Sequence, residues 1–190
     1  MKNLNMMTLD DTYHLVHPEE FDEVGMSSPA LLLLTDFRQH HPAEIEGDTP
    51  ATQAEFLMRK SHVKLQLVVD KEEELIGIVS HGDLDDQKFI LQQDKGFQRE
   101  DILVKHLMQP RALIKGLNYR QLQTASVDDV VHALQQNHQQ YCLVIDPDEK
   151  HICGVISAQD IASRLHIRLT IEGAPTFGDI FQAVKPSSGK

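Results

Sequence analysis

Leu67-Val68-Val69-Asp70, the polar stretch Lys71-Glu72-Glu73-Glu74, and Leu75-Ile76-Gly77-Ile78-Val79-Ser80-His81-Gly82-Asp83-Leu84 come back later in the chain. They return as Leu143-Val144-Ile145-Asp146, a polar gap, and Ile152-Cys153-Gly154-Val155-Ile156-Ser157-Ala158-Gln159-Asp160-Ile161. With h for an apolar residue, both copies read h-V-h-D, a turn, then G-h-h-S-x-x-D-h, about 77 positions apart and differing by one residue in the turn. A single G-h-h-S string is a weak signal, but two in equivalent contexts mark a duplicated unit.

The short apolar runs on either side of each turn predict β-hairpins, Leu65 to Val69 with Leu75 to Val79, and Tyr141 to Ile145 with His151 to Ile156. Helices are expected in front of them. Thr49-Pro50 marks one start, with Thr as cap and Pro at the first helical position, followed by an apolar face of Ala54, Leu57 and Met58. Ser126-x-x-Asp129 has capping-box spacing and is followed by Val127, Val130, Val131 and Leu134. Each repeat therefore reads as helix, strand, strand, helix, and the fold class is α+β.

The duplicated motif resembles the cystathionine-β-synthase (CBS) domain, a regulatory module in which two repeats pack together and often bind adenosine compounds. Val104-Lys105-His106-Leu107-Met108-Gln109-Pro110-Arg111 is similar to the V-x-D-h-M-x-P segment that opens a second repeat in that family, with His106 in place of the acid. The resemblance covers roughly residues 29–168 and implies tandem repeats, each a small sheet covered by helices, packed as a pseudo-two-fold pair. It divides the chain into an N-terminal extension (1–28), repeat 1 (29–92), a connection (93–104), repeat 2 (105–168) and a C-terminal extension (169–190).

Outside the repeats, Asp85 to Arg99 is polar and reads as an elaborated connection. Residues 1–28 show no sustained periodicity; they are expected to cover a repeat or a dimer partner. Thr176-x-x-Asp179 with Phe177, Ile180, Phe181 and Val184 predicts a short amphipathic helix before a disordered tail, 185–190.

Composition narrows the function. The 190 residues are 41% hydrophobic with no Trp, a globular composition whose core is built from Leu, Ile and Val. The longest apolar run, Ala30 to Leu34, is far short of the roughly 20 residues of a membrane span. The N-terminus has neither a basic start nor a continuous apolar stretch, so no secretory signal is read and a cytoplasmic location is expected. In that compartment Cys142 and Cys153 are expected as buried free thiols. Eighteen basic against 29 acidic side chains give a formal charge of −11, which opposes binding to nucleic acid.

Within G-h-h-S-x-x-D, Ser and Asp fall at a strand-to-helix junction. An ionised carboxylate accepts hydrogen bonds and suits the two hydroxyls of a ribose, while a serine hydroxyl and free amides suit phosphate oxygens. The resemblance implies these roles for Ser80 and Asp83 and for Ser157 and Asp160. The same residues serve equally as an N-cap and a favourable first-turn acid. Val79 and Ile156 are candidates for an adenine slot and equally for ordinary core. His81, Arg111 and Arg164 are candidate cations for phosphate. Ala158, where the family often has a basic or polar side chain, argues against tight polyphosphate binding in repeat 2.

Eleven histidines raise the question of metal, through His14 with His17, His40-His41, and His132 with His138. No third ligand completes a set, so no metal site is expected. Catalytic motifs are missing too: there is no G-x-S-x-G elbow, phosphate-binding P-loop, H-E-x-x-H or dinucleotide fingerprint. The reading is a non-enzymatic, homodimeric sensor of an adenine-containing ligand (AMP, ADP, ATP or S-adenosylmethionine), which is a regulatory ligand and not a catalytic cofactor. Its output passes through the dimer or through a protein partner in trans. The alternative is a structural or interaction module whose pockets have degenerated.

Overall fold

In the computed structural model, which describes residues 24–135, 139–167 and 175–184, each copy of the motif forms an antiparallel hairpin. One sheet has the order β2 (Glu44–Glu46), β3 (Leu65–Val69), β4 (Leu75–Ser80), β5 (Gln109–Pro110). The other has the order β1 (Thr35–Asp36), β8 (His151–Ser157), β7 (Tyr141–Asp146), β6 (Gly116–Asn118). The repeated Asp of h-V-h-D shapes both turns. Asp70 Oδ1 accepts from the amides of Glu72 (3.0 Å) and Glu74 (2.9 Å), and Asp146 Oδ1 from those of Asp148 (3.1 Å) and Glu149 (3.3 Å).

The outer strands were not foreseen. β2 and β6 are parallel additions to β3 and β7, whereas β1 and β5 are exchanged: β1, from the start of the chain, pairs with β8, and β5 pairs with β4. Strands of two or three residues are too short to show an alternating pattern. The motif glycines make room for the exchanged strands. A Cβ on Gly154 would lie 2.3 Å from the Thr35 carbonyl oxygen, and one on Gly77 would lie 2.6 Å from that of Gln109. The glycine thus permits close backbone approach, with the neighbouring strand as the group that approaches.

The first sheet is covered by α1 (Ala51–Ser61), α2 (Asp86–Gln93) and α3 (Val104–Leu107), around Val68, Val79, Met58, Phe89 and Val104. On the second lie α4 (Tyr119–Leu122), α5 (Val127–Ala133), α6 (Ala158–Arg164) and α7 (Phe177–Val184), around Val144, Ile156, Val130, Phe177 and Ile180. The sheets meet through Leu67, Leu75 and Ile78 from one repeat and Leu143 from the other. This is the α+β pseudo-two-fold pair expected from the repeat.

Two helix starts follow the sequence reading. Ser126 and Asp129 form a capping box on α5, and Thr176 and Asp179 do the same for α7, with hydroxyl-to-carboxylate bonds of 2.7 Å in each. The start of α1 differs. Pro50 is the cap residue, with no side-chain hydrogen bond, and the Ala51 amide donates to the Ile102 carbonyl at 2.8 Å. A neighbouring backbone thus satisfies the orphan amide that Thr49 was expected to satisfy. Leu57, expected on the buried face of α1, is 41% exposed, while Ala51, Ala54 and Met58 are buried.

The polar stretch Asp85 to Arg99, expected as a connection, contains a helix. Asp85 caps α2 by accepting from the Lys88 amide at 2.9 Å, and Phe89 is fully buried beneath it. His106, where the resemblance has an acid, caps α3: its Nδ1 accepts from the Leu103 amide at 3.1 Å. Cys142 and Cys153 are both free and buried, with Cys142 opposite Ile156 in the ladder. Residues 1–23, with His14 and His17, lie outside the described residues, as do His138 and the tail 185–190.

Candidate functional site

Both motifs end at the junction of the repeats, and two clefts open there. The first, of about 310 Å³, is lined by Ser80, Asp83 and Ile78 from the motif, Lys88 and Gln109 nearby, and Gln139, Gln140 and Tyr141 from the other repeat. The second, of about 200 Å³, is lined by Val155, Ser157 and Asp160 from the motif and Thr35, Phe37 and His41 from the first strand and its turn. Pro42, Ala43, Lys64, Leu65, Leu67 and Tyr141 complete it. These volumes fall at or below the lower end of the roughly 300–1,000 Å³ typical of small-molecule sites.

The two Ser–Asp pairs are wired differently. In repeat 1, Asp83 Oδ2 accepts from both the amide (2.9 Å) and the hydroxyl (2.7 Å) of Ser80. The pair satisfies itself, with the Ser80 proton directed at the carboxylate. In repeat 2, the Asp160 amide donates to Ser157 Oγ at 3.3 Å, capping α6, and the Asp160 carboxylate accepts no hydrogen bond from a described residue. Asp160 is exposed, so all of its acceptor capacity faces the cleft and solvent.

Tyr141 is common to both clefts. Its ring is half-buried and its hydroxyl donates to the Lys64 carbonyl oxygen at 3.3 Å, which also receives the His81 amide at 3.2 Å. Burial, together with the negative charges of Asp160 and Asp83, pushes the phenol up to about 12. The phenol is therefore neutral at physiological pH and available as a donor. Both motif carboxylates act on it, which shows how closely the two ends converge.

The other sequence candidates are dispersed. Val79 and Ile156, the candidates for an adenine slot, are fully buried in the cores beneath the helices and line neither cleft. Side chains alternate along a strand, and the residues sharing the cleft face with Ser80 and Ser157 are Ile78 and Val155. His81 is exposed and lines neither cleft. Arg111 donates to the Leu75 carbonyl at 3.2 Å, at the far end of β4 from Ser80 and roughly 17 Å away by strand geometry. Arg164 faces a separate cleft. Lys88 and Lys64, which sequence reasoning did not single out, are the cations at the clefts. Ala158 is fully buried and contributes only its amide, which donates to Gln140.

Tyr141, Lys64, Phe37 and His41 were also missed: Lys64, Phe37 and His41 reach the Ser157–Asp160 cleft across the repeat boundary, as Tyr141 reaches the Ser80–Asp83 cleft. A signal did exist: the 76-residue offset between the first strands of the hairpins puts Tyr141 opposite Ser157 where Leu65 stands opposite Ser80. Among the described residues no three His, Cys, Asp or Glu side chains converge as a metal site, and no helix is long and apolar enough to cross a membrane.

Among curated proteins none matches this sequence. Among solved structures, an uncharacterized conserved protein from Pyrococcus horikoshii superposes with a TM-score of 0.56 at 17% identity, covering 78% of this chain and 100% of its own. CBSX2, a CBS-pair protein from Arabidopsis thaliana solved in complex with AMP, gives 0.51 at 21% identity over 74% of this chain and 98% of its own. A hemolysin-like protein containing a CBS domain, from Oenococcus oeni PSU, gives 0.52 at 15% identity, covering 77% and 95%. At these identities the likeness is one of fold. The model of the CBS domain matches the sequence itself over residues 34–87 and 123–167, just over half of the chain, each segment ending beyond its own copy of G-h-h-S-x-x-D. This chain belongs to the CBS-domain family, as a tandem pair.

Proposed function

We propose that this chain is a regulatory module that binds an adenine-containing ligand between its repeats, principally in the Ser157–Asp160 cleft, and signals through its conformation or its association with a partner. One observation carries the reading: an uncommitted carboxylate, Asp160, stands at the mouth of a cleft walled by Leu65, Leu67, Val155 and Phe37. Such a site offers an acceptor to ribose hydroxyls and an apolar surface to a base, with Lys64 beside it for phosphate charge. The AMP complex of CBSX2 supports the ligand class. AMP, ADP, ATP and S-adenosylmethionine all remain in that class.

The module is proposed to act without catalysis, in the cytoplasm and as a homodimer. α1 and α2 expose Phe56 (63%), Leu57, Ile90 and Leu91 (56%), an apolar face suited to an isologous two-fold contact. On repeat 2 the corresponding helices α5 and α6 are packed against α7. A dimer in sedimentation at tens of micromolar, reduced to monomer by Phe56→Glu, is the expected result.

A thermal-shift series with the four ligands tests the binding. A ligand selective for the folded state stabilises it by about 2.7 kcal/mol at roughly 100-fold excess over its dissociation constant. No shift with any of them at millimolar concentration favours the second reading, a scaffold with degenerate pockets. The self-satisfied Ser80–Asp83 pair is the observation on its side.

A further inference from the structure

The largest of the described clefts, about 420 Å³, shares only Thr35 with the Ser157–Asp160 cleft and lies between the β1 segment, the start of α4 and the end of α6. Its apolar walls are Leu31, Leu34 and the ring of Tyr119. Arg164, half-buried in the last turn of α6, makes no hydrogen bond or ion pair with any described residue. A guanidinium is a planar fork of donors that pairs two-pronged with carboxylate or phosphate.

The carboxylate that lines the same cleft does not compete for Arg164 or repel an anion. Asp36 is already clamped by Arg38, whose Nε and Nη2 donate to its two oxygens at 2.9 and 2.7 Å. Arg38 also lies over the Tyr119 ring, 4.4 Å from its centroid, and fixes that wall. With Asp36 neutralised, the charge left in the cleft is that of Arg164, beside the neutral donors of Thr35 and Gln39 and the imidazole of His40. A positive cleft is a marked local exception in a chain of formal charge −11.

We propose that this cleft is a second binding site, for a small organic anion with one carboxylate or phosphate on a compact apolar body, anchored by Arg164. The guanidinium grips the anion and the Leu31, Leu34 and Tyr119 walls receive the body. The proposal does not depend on nucleotide binding between the repeats.

Benzoate serves as the probe, with the neutral isostere benzamide as control, in amide-resolved NMR titration of the full chain. Saturable shifts at Gln39 and His40 are expected with benzoate and not with benzamide. Arg164→Gln should weaken benzoate binding about 10-fold, as befits the loss of a charge-assisted two-pronged contact. Arg164→Lys should recover part of it, and Asp160→Ala should leave it unchanged. No saturable shift, equal affinity for benzamide, undiminished binding in Arg164→Gln at an unchanged melting temperature, or loss of binding in Asp160→Ala each overturns the proposal.

Discussion

The hydroxyl of Tyr141 hydrogen-bonds to the backbone carbonyl of Lys64, at 3.3 Å, joining the first residue of one hairpin to the residue just before the other. The position equivalent to Tyr141 in repeat 1 is Leu65, so this link occurs once and breaks the internal symmetry where the two clefts meet. Tyr141→Phe keeps the ring and removes the donor. It should lower unfolding stability by about 1 kcal/mol, measured by urea denaturation. Because burial holds the phenol at about 12, absorbance titration should show one tyrosine ionising well above the usual 10, and Tyr141→Phe should abolish that transition.

Asp83 and Asp160 occupy the same motif position yet should respond differently to alanine. Asp160 accepts no bond from a described residue, so Asp160→Ala should leave stability nearly unchanged and weaken adenine-nucleotide binding by about 10- to 100-fold. Asp83 holds the Ser80 cap, so Asp83→Ala should lower stability by about 0.5–2 kcal/mol with a smaller effect on affinity. Calorimetric titration beside denaturation midpoints separates the two. Equal affinities in both variants and the parent chain would sink the ribose assignment.

Gly154→Ala should be disproportionately damaging. The added methyl would meet the Thr35 carbonyl oxygen, a backbone atom with little freedom to yield, and Leu34 Cδ1 at 2.6 Å. Overpacking of this kind destabilises by about 1–3 kcal/mol. Hydrogen exchange should show lost protection at Phe37, whose amide donates to Cys153 at 2.8 Å, before any loss in β3 or β4. Unchanged protection there means that β1 accommodates the methyl group.

Acid should erase the contribution of Asp36. The hydrogen bond from the Arg38 side chain is the main influence holding this carboxyl at about 2, against an ordinary 3.8. On acidification the unfolded chain takes up the proton first, so the stabilisation is complete above about pH 5 and disappears as the pH falls through about 2. Denaturation midpoints of Asp36→Asn and the parent chain should therefore differ by a constant amount near neutrality and converge towards pH 2. A gap that persists unchanged at low pH contradicts this assignment.

Much of the fold was legible because its signals are local. The hairpins, the Asp-centred turns and the capping boxes of Ser126 and Thr176 each rest on residues within a few positions of one another. The exchanged strands were hidden, since Thr35–Asp36 and Gln109–Pro110 acquire their strand character from partners distant in sequence. Of the residues lining the clefts, Ser80, Asp83, Ser157 and Asp160 stand out in the motif, whereas Val79 and Ile156 lie in the cores and their neighbours Ile78 and Val155 line the clefts. Strand parity held the answer: if Ser80 faces the cleft, so does Ile78. Lys64 lies in the opposite repeat from the Ser157–Asp160 cleft it lines, and Tyr141 from the Ser80–Asp83 cleft, where no local reading connects them.

The exchange of β1 and β5 also sets an order of assembly. All four strands of the first sheet lie between Glu44 and Pro110, so that sheet can close as soon as this stretch has left the ribosome. Thr35–Asp36, although made earlier, has no partner until His151–Ser157 is synthesised. The first sheet can thus mature while Thr35–Asp36 waits, and the closure of β1 on β8 joins segments about 120 residues apart around a sheet that is already formed. Loop-closure entropy rises only slowly with length, so this late joining adds little thermodynamic penalty while placing β1 among the last elements to dock.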